Sequence, residues 1–394
     1  MPRNNKSNAV AEAAVRTGIK YFQQLPPTWR IIVLVLVVVV GIGYFIVERS
    51  LAPVSATAAI PALNADGSGN YLFCWWNVEN LFDDKNDKRR PVDEEYDDPF
   101  AEDGHLRQLK LDHIAGELLK LNAGKGPDII ACCEMESVRA AELLRGTLNS
   151  KITDPKLKYT NIAMKDLDAG RHIATCVITR LPVDFARTRL RGTSTRILET
   201  QLRVNGYDLC LVASHWTSQI TQKGDTVNTA TGRGKYASII YDILMEHVKS
   251  NRNTDFLVCG DFNDTPDSET VIKVLGAISD PAKVTPQVQP PYLLNLLGGK
   301  PADKFGTISY NGKPLIYDQI CVSAGMLDNT GWGCKPDSVK VVTEALIRPG
   351  STRRQPWRFG NPKPEVKDSE RGFSDHFPVT VELTVQPSKI GKEQ

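Results

Sequence analysis

The sequence predicts a layered α/β or α+β domain that is built on mixed β-sheets. The 394-residue chain is 41% hydrophobic, which is enough to bury a large core. From residue 71 onward, apolar runs typical of strands alternate with segments of helical periodicity, and the strand-like runs are the more numerous. A pure array of parallel βαβ units would alternate them evenly, so mixed sheets are the better prediction.

The strands are predicted from short apolar or β-branched runs that end at turn-forming residues. The helices are predicted from apolar residues at helical spacing, as at Leu106, Leu109, Ile114, Leu118 and Leu121. Predicted strands lie at 71–76, 128–133, 159–163, 172–178, 197–204, 207–214, 256–259, 315–322, 339–343 and 378–383, and predicted helices lie at 106–121, 138–148, 235–248 and 268–275.

Residues 31–47 form an uninterrupted run of apolar and glycine residues between Arg30 and Glu48. As a helix with a rise of ~1.5 Å per residue, this run approaches the ~30 Å thickness of a bilayer core. It has no polar face of the kind that a globular helix shows. We therefore predict a single transmembrane anchor at 31–47. The alternative is a cleaved signal peptide, because residues 56–58 resemble a small-residue cleavage site.

Basic residues dominate the segment before this run, with five Lys or Arg against one acidic residue in 1–30. The positive-inside rule then places 1–30 in the cytoplasm and everything after residue 50 on the extracytoplasmic side. Residues 48–70 are rich in Ala, Pro, Ser and Gly and are predicted to be a linker. The catalytic domain is predicted at 71–394.

The predicted domain carries little net charge. When the six basic and two acidic residues of 1–49 are set aside, 42 basic and 44 acidic residues remain, which gives a formal charge of −2. A domain that coats nucleic acid non-specifically is usually clearly basic. This domain must therefore bind an anionic substrate through local charge or through a metal ion.

The eight cysteines show no zinc-binding pattern, and no pair has CxxC spacing. Nearly all of them lie within apolar strand-like runs, where a buried thiol acts as a small hydrophobe. We therefore predict free cysteines in the core. This prediction stands against an extracytoplasmic location, where disulfides are common.

Residues 83–103 form an acidic segment with ten acidic and four basic residues. The carboxylates lack the ordered spacing of an EF-hand loop. A solvated surface loop is therefore predicted. The alternative interpretation is a calcium-binding loop or a loop that gates substrate access.

Polar clusters stand at the ends of predicted strands, where the active sites of α/β proteins collect. Asp261 and Asn263 follow the run 256–259, and residues two apart on an extended chain share a face. Asn77 and Glu79 have the same spacing. Each cluster alone is consistent with a turn or a helix cap, but five in one domain favour a common site. The remaining clusters are Glu134 after 128–133, His215 after 207–214, and Asp318 with Ser374, Asp375 and His376.

These residue types suit the hydrolysis of a phosphoester with a divalent metal. Carboxylate and carboxamide oxygens without a thiolate cluster favour Mg²⁺ or Mn²⁺ over zinc. His215 and His376 supply acid–base groups that titrate near neutrality. The sequence therefore predicts a metal-assisted hydrolase.

The order N-x-E, strand-Glu, S-H, G-D-F-N, D-Q-I and S-D-H resembles the endonuclease/exonuclease/phosphatase superfamily. That superfamily includes pancreatic-type deoxyribonuclease and exonuclease-III-like abasic-site endonucleases. The resemblance covers residues 71–385. It implies a four-layer α/β sandwich with two central mixed β-sheets and an active site at one edge.

The resemblance also implies roles for the polar residues. Glu134 would be the principal Mg²⁺ ligand, with Asn77 and Glu79 beside it. Asp261 would orient or deprotonate the attacking water. Asn263 would hold a phosphate oxygen.

The resemblance implies roles for the histidines and their partners as well. His376 would contact the scissile phosphate as acid or base, oriented by Asp318, and Asp375 would lie near the metal or the water. His215 matches the histidine that serves the leaving group in the deoxyribonuclease-like branch. Which histidine is the base stays open, and a metal-bound hydroxide is a further alternative. Arg171 resembles a phosphate-contacting arginine of some members, with a surface charge as the alternative.

Two features depart from the family pattern or extend it. Gln319 follows Asp318 where many relatives carry His or Tyr. The stretch 353–359 is basic and aromatic, which suits a nucleic-acid strand through phosphate contacts and base stacking. A surface loop is the alternative.

The resulting prediction is a membrane-anchored, Mg²⁺-dependent phosphodiesterase that acts on nucleic acid as an endonuclease or exonuclease. A phosphatase, or a phosphodiesterase for phospholipids or inositol phosphates, is the alternative enzyme of the same fold. A non-catalytic scaffold is the alternative from another class. Protein partners are not predicted.

Overall fold

The computed structural model describes residue 26 and residues 68–88, 91–167, 171–193, 195–219, 226–351 and 353–387. The predicted anchor at 31–47 and most of the predicted linker lie outside these residues. Within the described part of the chain, every helix is too short or too polar to cross a bilayer.

Two large mixed β-sheets form the centre of the domain, which confirms the predicted fold class. Their strands are β1 (Gly69–Leu81), β2 (Ile129–Met135), β3 (Asn161–Met164), β4 (Ala174–Thr179), β5 (Val183–Leu190), β6 (Ile197–Val204), β7 (Tyr207–His215), β8 (Phe256–Asp261), β9 (Ala277–Ile278), β10 (Leu293–Asn295), β13 (Asp318–Val322), β14 (Trp332–Val341) and β15 (Val379–Val385). The first sheet has the strand order β14-β15-β1-β2-β4-β3, and the second has the order β5-β6-β7-β8-β13-β10-β9. β1 and β2 run parallel, as do β7 and β8, and most other neighbours are antiparallel.

Outside the two sheets lie the helices and one small hairpin. The hairpin pairs β11 (Ile308–Tyr310) with β12 (Lys313–Leu315). The helices are α1 (Pro91–Glu102), α2 (Gly104–Gly124), α3 (Val138–Lys151), α4 (Thr226–Ser250) and the short α5 (Ala302–Phe305). The predicted helix at 268–275 is a single π-helical turn at Thr270–Val274.

Alternation along the strands sorts the core into layers. Trp75 packs between the two sheets with Leu211 and Ile320, whereas its neighbour Trp76 points the other way, toward Ile114 of α2 and Leu144 of α3. On the far side, the second sheet packs against α4. The layers therefore run helix, sheet, sheet, helix.

The acidic segment departs from the prediction of a surface loop. Pro91–Glu102 form α1, in which Asp93 and Asp97 are buried. Arg171 Nε pairs with Asp93 Oδ1 at 2.9 Å. The segment therefore packs against the domain, where a cationic partner stabilises a buried carboxylate. The spacing of the acidic residues in the sequence did not indicate this.

The cysteines are free, as predicted. The described structure contains no disulfide, and seven of the eight thiols are buried while Cys334 is half-buried. Burial raises the pKa of the Cys74 and Cys259 thiols well above the usual range. These thiols act as apolar core side chains.

Candidate active site

The site lies where the carboxyl ends of β1, β2, β7 and β8 meet the start of β13. Backbone register sets His215 opposite Asp261 across the β7–β8 pair, and it sets Asp318 opposite Asp261 across the β8–β13 pair. Asn77 of the first sheet reaches across and donates through Nδ2 to Asp261 Oδ2 at 3.2 Å. Both sheets therefore contribute to one edge, as strand ends in layered α/β folds commonly do.

Several site residues adopt the left-handed backbone conformation, which non-glycine residues rarely do. The φ angle is +53° at Glu79, +51° at Asn80, +62° at Glu134 and +48° at Asn263. Each lies at or just beyond the end of a strand. Such outliers are held in place by surrounding contacts and concentrate at functional sites.

Asp261 is the centre of the cluster. Its Oδ2 lies 3.7 Å from His215 Nε2 and 3.8 Å from His376 Nε2. Burial raises the pKa of Asp261 to about 7; His376 opposes this shift, and the carboxylates of Asp318 and Glu134 add to it. A carboxylate with a raised pKa beside two imidazoles is suited to accept a proton near neutrality.

Glu134 lies beside Asp261 and keeps part of its carboxylate open to solvent. Its Oε1 accepts from Asn77 Nδ2 at 3.2 Å, and its Oε2 accepts from the backbone N–H of Asn80 at 3.0 Å. His215 Nε2 is 3.8 Å from Oε1. The side chain is 15% exposed, so Glu134 can bind an additional ligand.

His376 is held by a buried carboxylate. Its Nδ1 lies 2.6 Å from Asp318 Oδ2, and Trp75 Nε1 donates to Asp318 Oδ1 at 2.8 Å. Burial disfavours the imidazolium, but Asp318 and Asp261 outweigh it and raise the pKa of His376 well above its usual range. His376 therefore presents a proton on Nε2 toward Asp261.

His215 has the opposite electrostatic environment. Burial, followed by the positive charges of Arg196 and His376, lowers its pKa well below the usual range. Its Nδ1 is buried and has no hydrogen-bond partner among the described residues. One edge thus holds two imidazoles whose pKa values are shifted in opposite directions, a division typical of acid–base sites.

The chain is not extended between Asn77 and Glu79, because the N–H of Glu79 donates to Asn77 Oδ1 at 3.0 Å. The left-handed backbone at Glu79 turns its carboxylate toward Arg358, whose Nε donates to Oε1 at 2.7 Å. The backbone N–H of Phe359 donates to Oε2 at 3.0 Å. Arg358 Nη2 also lies 3.3 Å from Asp375 Oδ2. Glu79 thus joins the 353–359 segment to the site, and its role as a metal ligand stays a prediction.

The chain between Asp261 and Asn263 is not extended either, because Asn263 has a φ angle of +48°. The two form a turn in which the N–H of Asn263 donates to Asp261 Oδ1 at 2.9 Å, while Asn263 Nδ2 donates to Trp216 O at 3.2 Å. Arg171 lies beyond Asn80, to whose Oδ1 its Nη2 donates at 2.8 Å. Their phosphate-binding roles stay predictions.

A sequence model of the endonuclease/exonuclease/phosphatase family matches residues 73–385 of this chain. The chain belongs to this family. A search of curated proteins found no match.

Several solved structures are similar to this chain at low sequence identity. TDP2 from C. elegans is 15% identical with a TM-score of 0.47, covering 80% of this chain and 75% of that one. Beta toxin from Staphylococcus aureus is 13% identical with a TM-score of 0.48, covering 79% and 99%. Sphingomyelinase C from Streptomyces griseocarneus is 15% identical with a TM-score of 0.47, covering 80% and 99%.

The donor set of this endonuclease/exonuclease/phosphatase family member fits a hard divalent cation. The carboxylates of Glu134, Asp261 and Asp318 lie close enough that mutual repulsion helps to raise the pKa of Asp261. Ligand atoms of Asp261, Asp318 and His376 fall within 4.8 Å of one another. Carboxylate oxygen donors are what Mg²⁺ and Mn²⁺ prefer.

The sequence interpretation missed two residues that shape this family member's site. Trp75 is the indole donor to Asp318, and strand alternation alone placed it only in the core. Lys110 donates to the carbonyl oxygens of Glu79 and Phe373 at 2.8 and 3.0 Å, and burial lowers its pKa to about 8. A lysine on the apolar face of a predicted helix was the available signal.

Proposed function

We propose that this protein is a metal-dependent phosphodiester hydrolase that cleaves nucleic acid as an endonuclease or an exonuclease. The observation that carries the proposal is the convergence of Asn77, His215 and His376 on Asp261 Oδ2, at 3.2, 3.7 and 3.8 Å. A proton acceptor and two imidazoles around one space are the groups that phosphoester hydrolysis needs. Family membership supports the same class of reaction.

Glu134 and Asn77 would hold a Mg²⁺ or Mn²⁺ ion, with Glu79 as a further predicted ligand. Such an ion neutralises the charge of phosphate oxygens and lowers the pKa of bound water. The open side of Glu134 supports this assignment, because the side chain is 15% exposed within an otherwise buried cluster.

The remaining residues would manage protons and position the phosphate. Asp261 would orient the attacking water and accept its proton. His376 would donate through Nε2 to a phosphate oxygen, held in that orientation by Asp318. His215, which is neutral in its buried setting, would face the leaving group. Asp375, Asn263 and Arg171 complete the predicted phosphate and water contacts.

A direct test uses the full-length protein in detergent with bis(4-nitrophenyl) phosphate and plasmid DNA, in Mg²⁺ and in chelator. Glu134→Ala, Asp261→Ala and His376→Ala should each abolish measurable hydrolysis without loss of the folded state. His105→Ala is the matched control, because its side chain is 73% exposed on α2. Wild-type turnover by His376→Ala would overturn the mechanism.

The membrane anchor and topology form a separate part of the proposal. Residues 31–47 would span the membrane once, with 1–30 in the cytoplasm and the catalytic domain outside it, as charge and hydropathy favour. Protease accessibility in intact cells tests this. Protection of the domain by the inner membrane would contradict the topology and leave the hydrolase proposal intact.

A phospholipid or inositol-phosphate diester is the second candidate substrate. The apolar run at 31–47 favours it, because an anchored enzyme works within reach of lipid headgroups. Vesicles of a choline phospholipid, assayed beside plasmid DNA, separate the two. Cleavage of the vesicles alone would transfer the proposal to lipid.

A further inference from the structure

Two short hairpins form a basic ridge beside the active site. The first contains β11 and β12 within residues 306–315. The second lies within residues 346–358, where Ile347 bridges Pro356 and the N–H of Arg348 donates to Gln355 O at 3.1 Å. The two segments contain no Asp or Glu, and their basic residues are Lys313, Arg348, Arg353, Arg354 and Arg358.

The first hairpin is attached directly to the catalytic edge. Ile308 forms an antiparallel bridge with His376, and the N–H of Phe377 donates to Thr307 O at 2.8 Å. The hydroxyl of Thr307 accepts from the N–H of Asp318 at 3.1 Å. The hairpin thus begins at the residues that hold the catalytic imidazole.

Three arginines of the ridge follow this hairpin outward. Arg358 is nearest the reacting edge, with Nη2 3.3 Å from Asp375 Oδ2. Arg354 lies 5.7 Å from the centroid of the Phe377 ring and donates to Lys304 O. Arg353 packs against the turn, because a Cβ added at Gly312 would overlap its guanidinium.

An exposed aromatic side chain stands on the same hairpin. Tyr310 is 49% exposed. It lies two residues beyond Ile308, a distance of about 7 Å along a strand. Tyr310 is also two residues from Gly312, the turn glycine against which Arg353 packs. An exposed ring on a hairpin that also contacts guanidinium groups is a pattern used to stack a base while the phosphates are bound.

We propose that the basic ridge binds a single-stranded segment of nucleic acid that leads away from the scissile phosphate. This rests on the proposed phosphodiester hydrolase function. A phospholipid carries its phosphate only at the reacting edge, so Arg354 and Arg353 would have no phosphate to bind. A strand places a phosphate at every nucleotide. Stacking on Tyr310 further requires an unpaired base, which a duplex does not offer.

The test compares Arg353→Ala/Arg354→Ala and Tyr310→Ala with the wild-type full-length protein in detergent. The substrates are a short single-stranded oligonucleotide and bis(4-nitrophenyl) phosphate. We expect kcat/KM to fall about 10-fold or more further on the oligonucleotide than on the small diester, since one stacked base contributes ~1–3 kcal/mol. Arg203→Ala is the control, because this arginine is 61% exposed on β6.

Binding of a labelled oligonucleotide in chelator provides a readout that does not depend on turnover. Loss of two phosphate contacts should reduce the slope of log K against log salt by about 1.4, and Arg353→Lys/Arg354→Lys should retain most of the slope. Equal falls in kcat/KM on both substrates, or an unchanged salt slope, would overturn the proposal that the ridge binds a strand. Oligonucleotide binding through the ridge without any hydrolysis would instead overturn the enzymatic function. Cleavage of vesicles but not of the oligonucleotide would overturn the ridge and keep the hydrolase.

Discussion

His376 Nδ1 lies 2.6 Å from Asp318 Oδ2 in a fully buried setting, and the other oxygen of Asp318 accepts from the indole of Trp75. Both carboxylate oxygens are therefore engaged. The contact fixes the imidazole with Nε2 toward Asp261. His376 depends on Asp318 for its orientation and for its charge.

Asp318→Asn should lower kcat on a small phosphodiester by about 10²–10⁴-fold with little change in KM. The substitution preserves shape but removes the negative charge that stabilises the imidazolium. Trp75→Phe is the matched variant, because it removes one hydrogen bond to Asp318 and keeps the carboxylate. It should retain more activity than Asp318→Asn. A near wild-type kcat for folded Asp318→Asn would contradict the assignment.

Mg²⁺ should raise the thermal unfolding temperature of the wild-type protein, since a ligand that binds only the folded state stabilises it. Glu134→Gln should abolish most of this shift, because Glu134 is the partly open carboxylate of the cluster. Glu79→Gln should lose less of the shift, because the carboxylate of Glu79, the further predicted ligand, is already paired with Arg358. Calorimetry with and without Mg²⁺ measures both. Equal losses in the two variants would show that Glu79 is a ligand of equal weight.

Glu199 predicts a pH-dependent contribution to stability away from the site. It is buried, and its carboxylate contacts Arg189, Arg191 and His247 at 3.0, 3.0 and 3.1 Å. Burial opposes ionisation, but these partners outweigh it and lower the pKa of Glu199 from 4.5 to about 2. The depressed pKa means that the stabilisation is present above pH 4.5 and is lost as the pH falls toward 2.

Glu199→Gln should therefore lower the free energy of unfolding by about 3 kcal/mol at neutral pH. The difference in unfolding free energy between Glu199→Gln and the wild type should shrink as the pH falls from 4.5 toward 2. Urea unfolding at a series of pH values measures it. A difference that does not depend on pH would show that packing rather than charge explains the loss.

Local pattern predicted most of the long strands, but it missed β5 and the short strands β9, β10 and β11. Strand β6 spans the predicted 197–204, because apolar or β-branched residues alternate with Glu199, Gln201 and Arg203 along it. The first half of β14 was missed, since Lys335, Pro336 and Asp337 interrupt the apolar pattern. β14 is an edge strand of its sheet, a position that tolerates charge and proline.

The convergence of the strand-end residues could be predicted from the sequence, whereas the pairing of Glu79 with Arg358 could not. Asn77, Glu134, His215 and Asp261 meet because strand ends meet at a sheet edge. The pairing of Glu79 with Arg358 joins residues 279 positions apart. It depends on a left-handed backbone at Glu79 that the i, i+2 spacing does not reveal.

That pair leads to a prediction about stability. Glu79 is 2% exposed, and Arg358 supplies its only guanidinium partner among the described ion pairs. Arg358→Ala should lower the free energy of unfolding by about 1–3 kcal/mol, because it leaves a buried carboxylate without its cation. The loss is moderated because Arg358 is 56% exposed and water can enter in its place.

Glu79→Gln/Arg358→Ala should recover part of that loss, since the neutral amide no longer needs a cation. The double-mutant cycle, measured by urea unfolding, should therefore be non-additive. Asp375 also contacts Arg358, so Asp375→Asn with Arg358→Ala serves as the matched cycle. Its coupling should be smaller, because the Asp375 side chain is 27% exposed and less dependent on one partner. Additive effects in the Glu79 cycle would mean that the backbone N–H groups of Phe359 and Gly360 hold the carboxylate without help from the guanidinium.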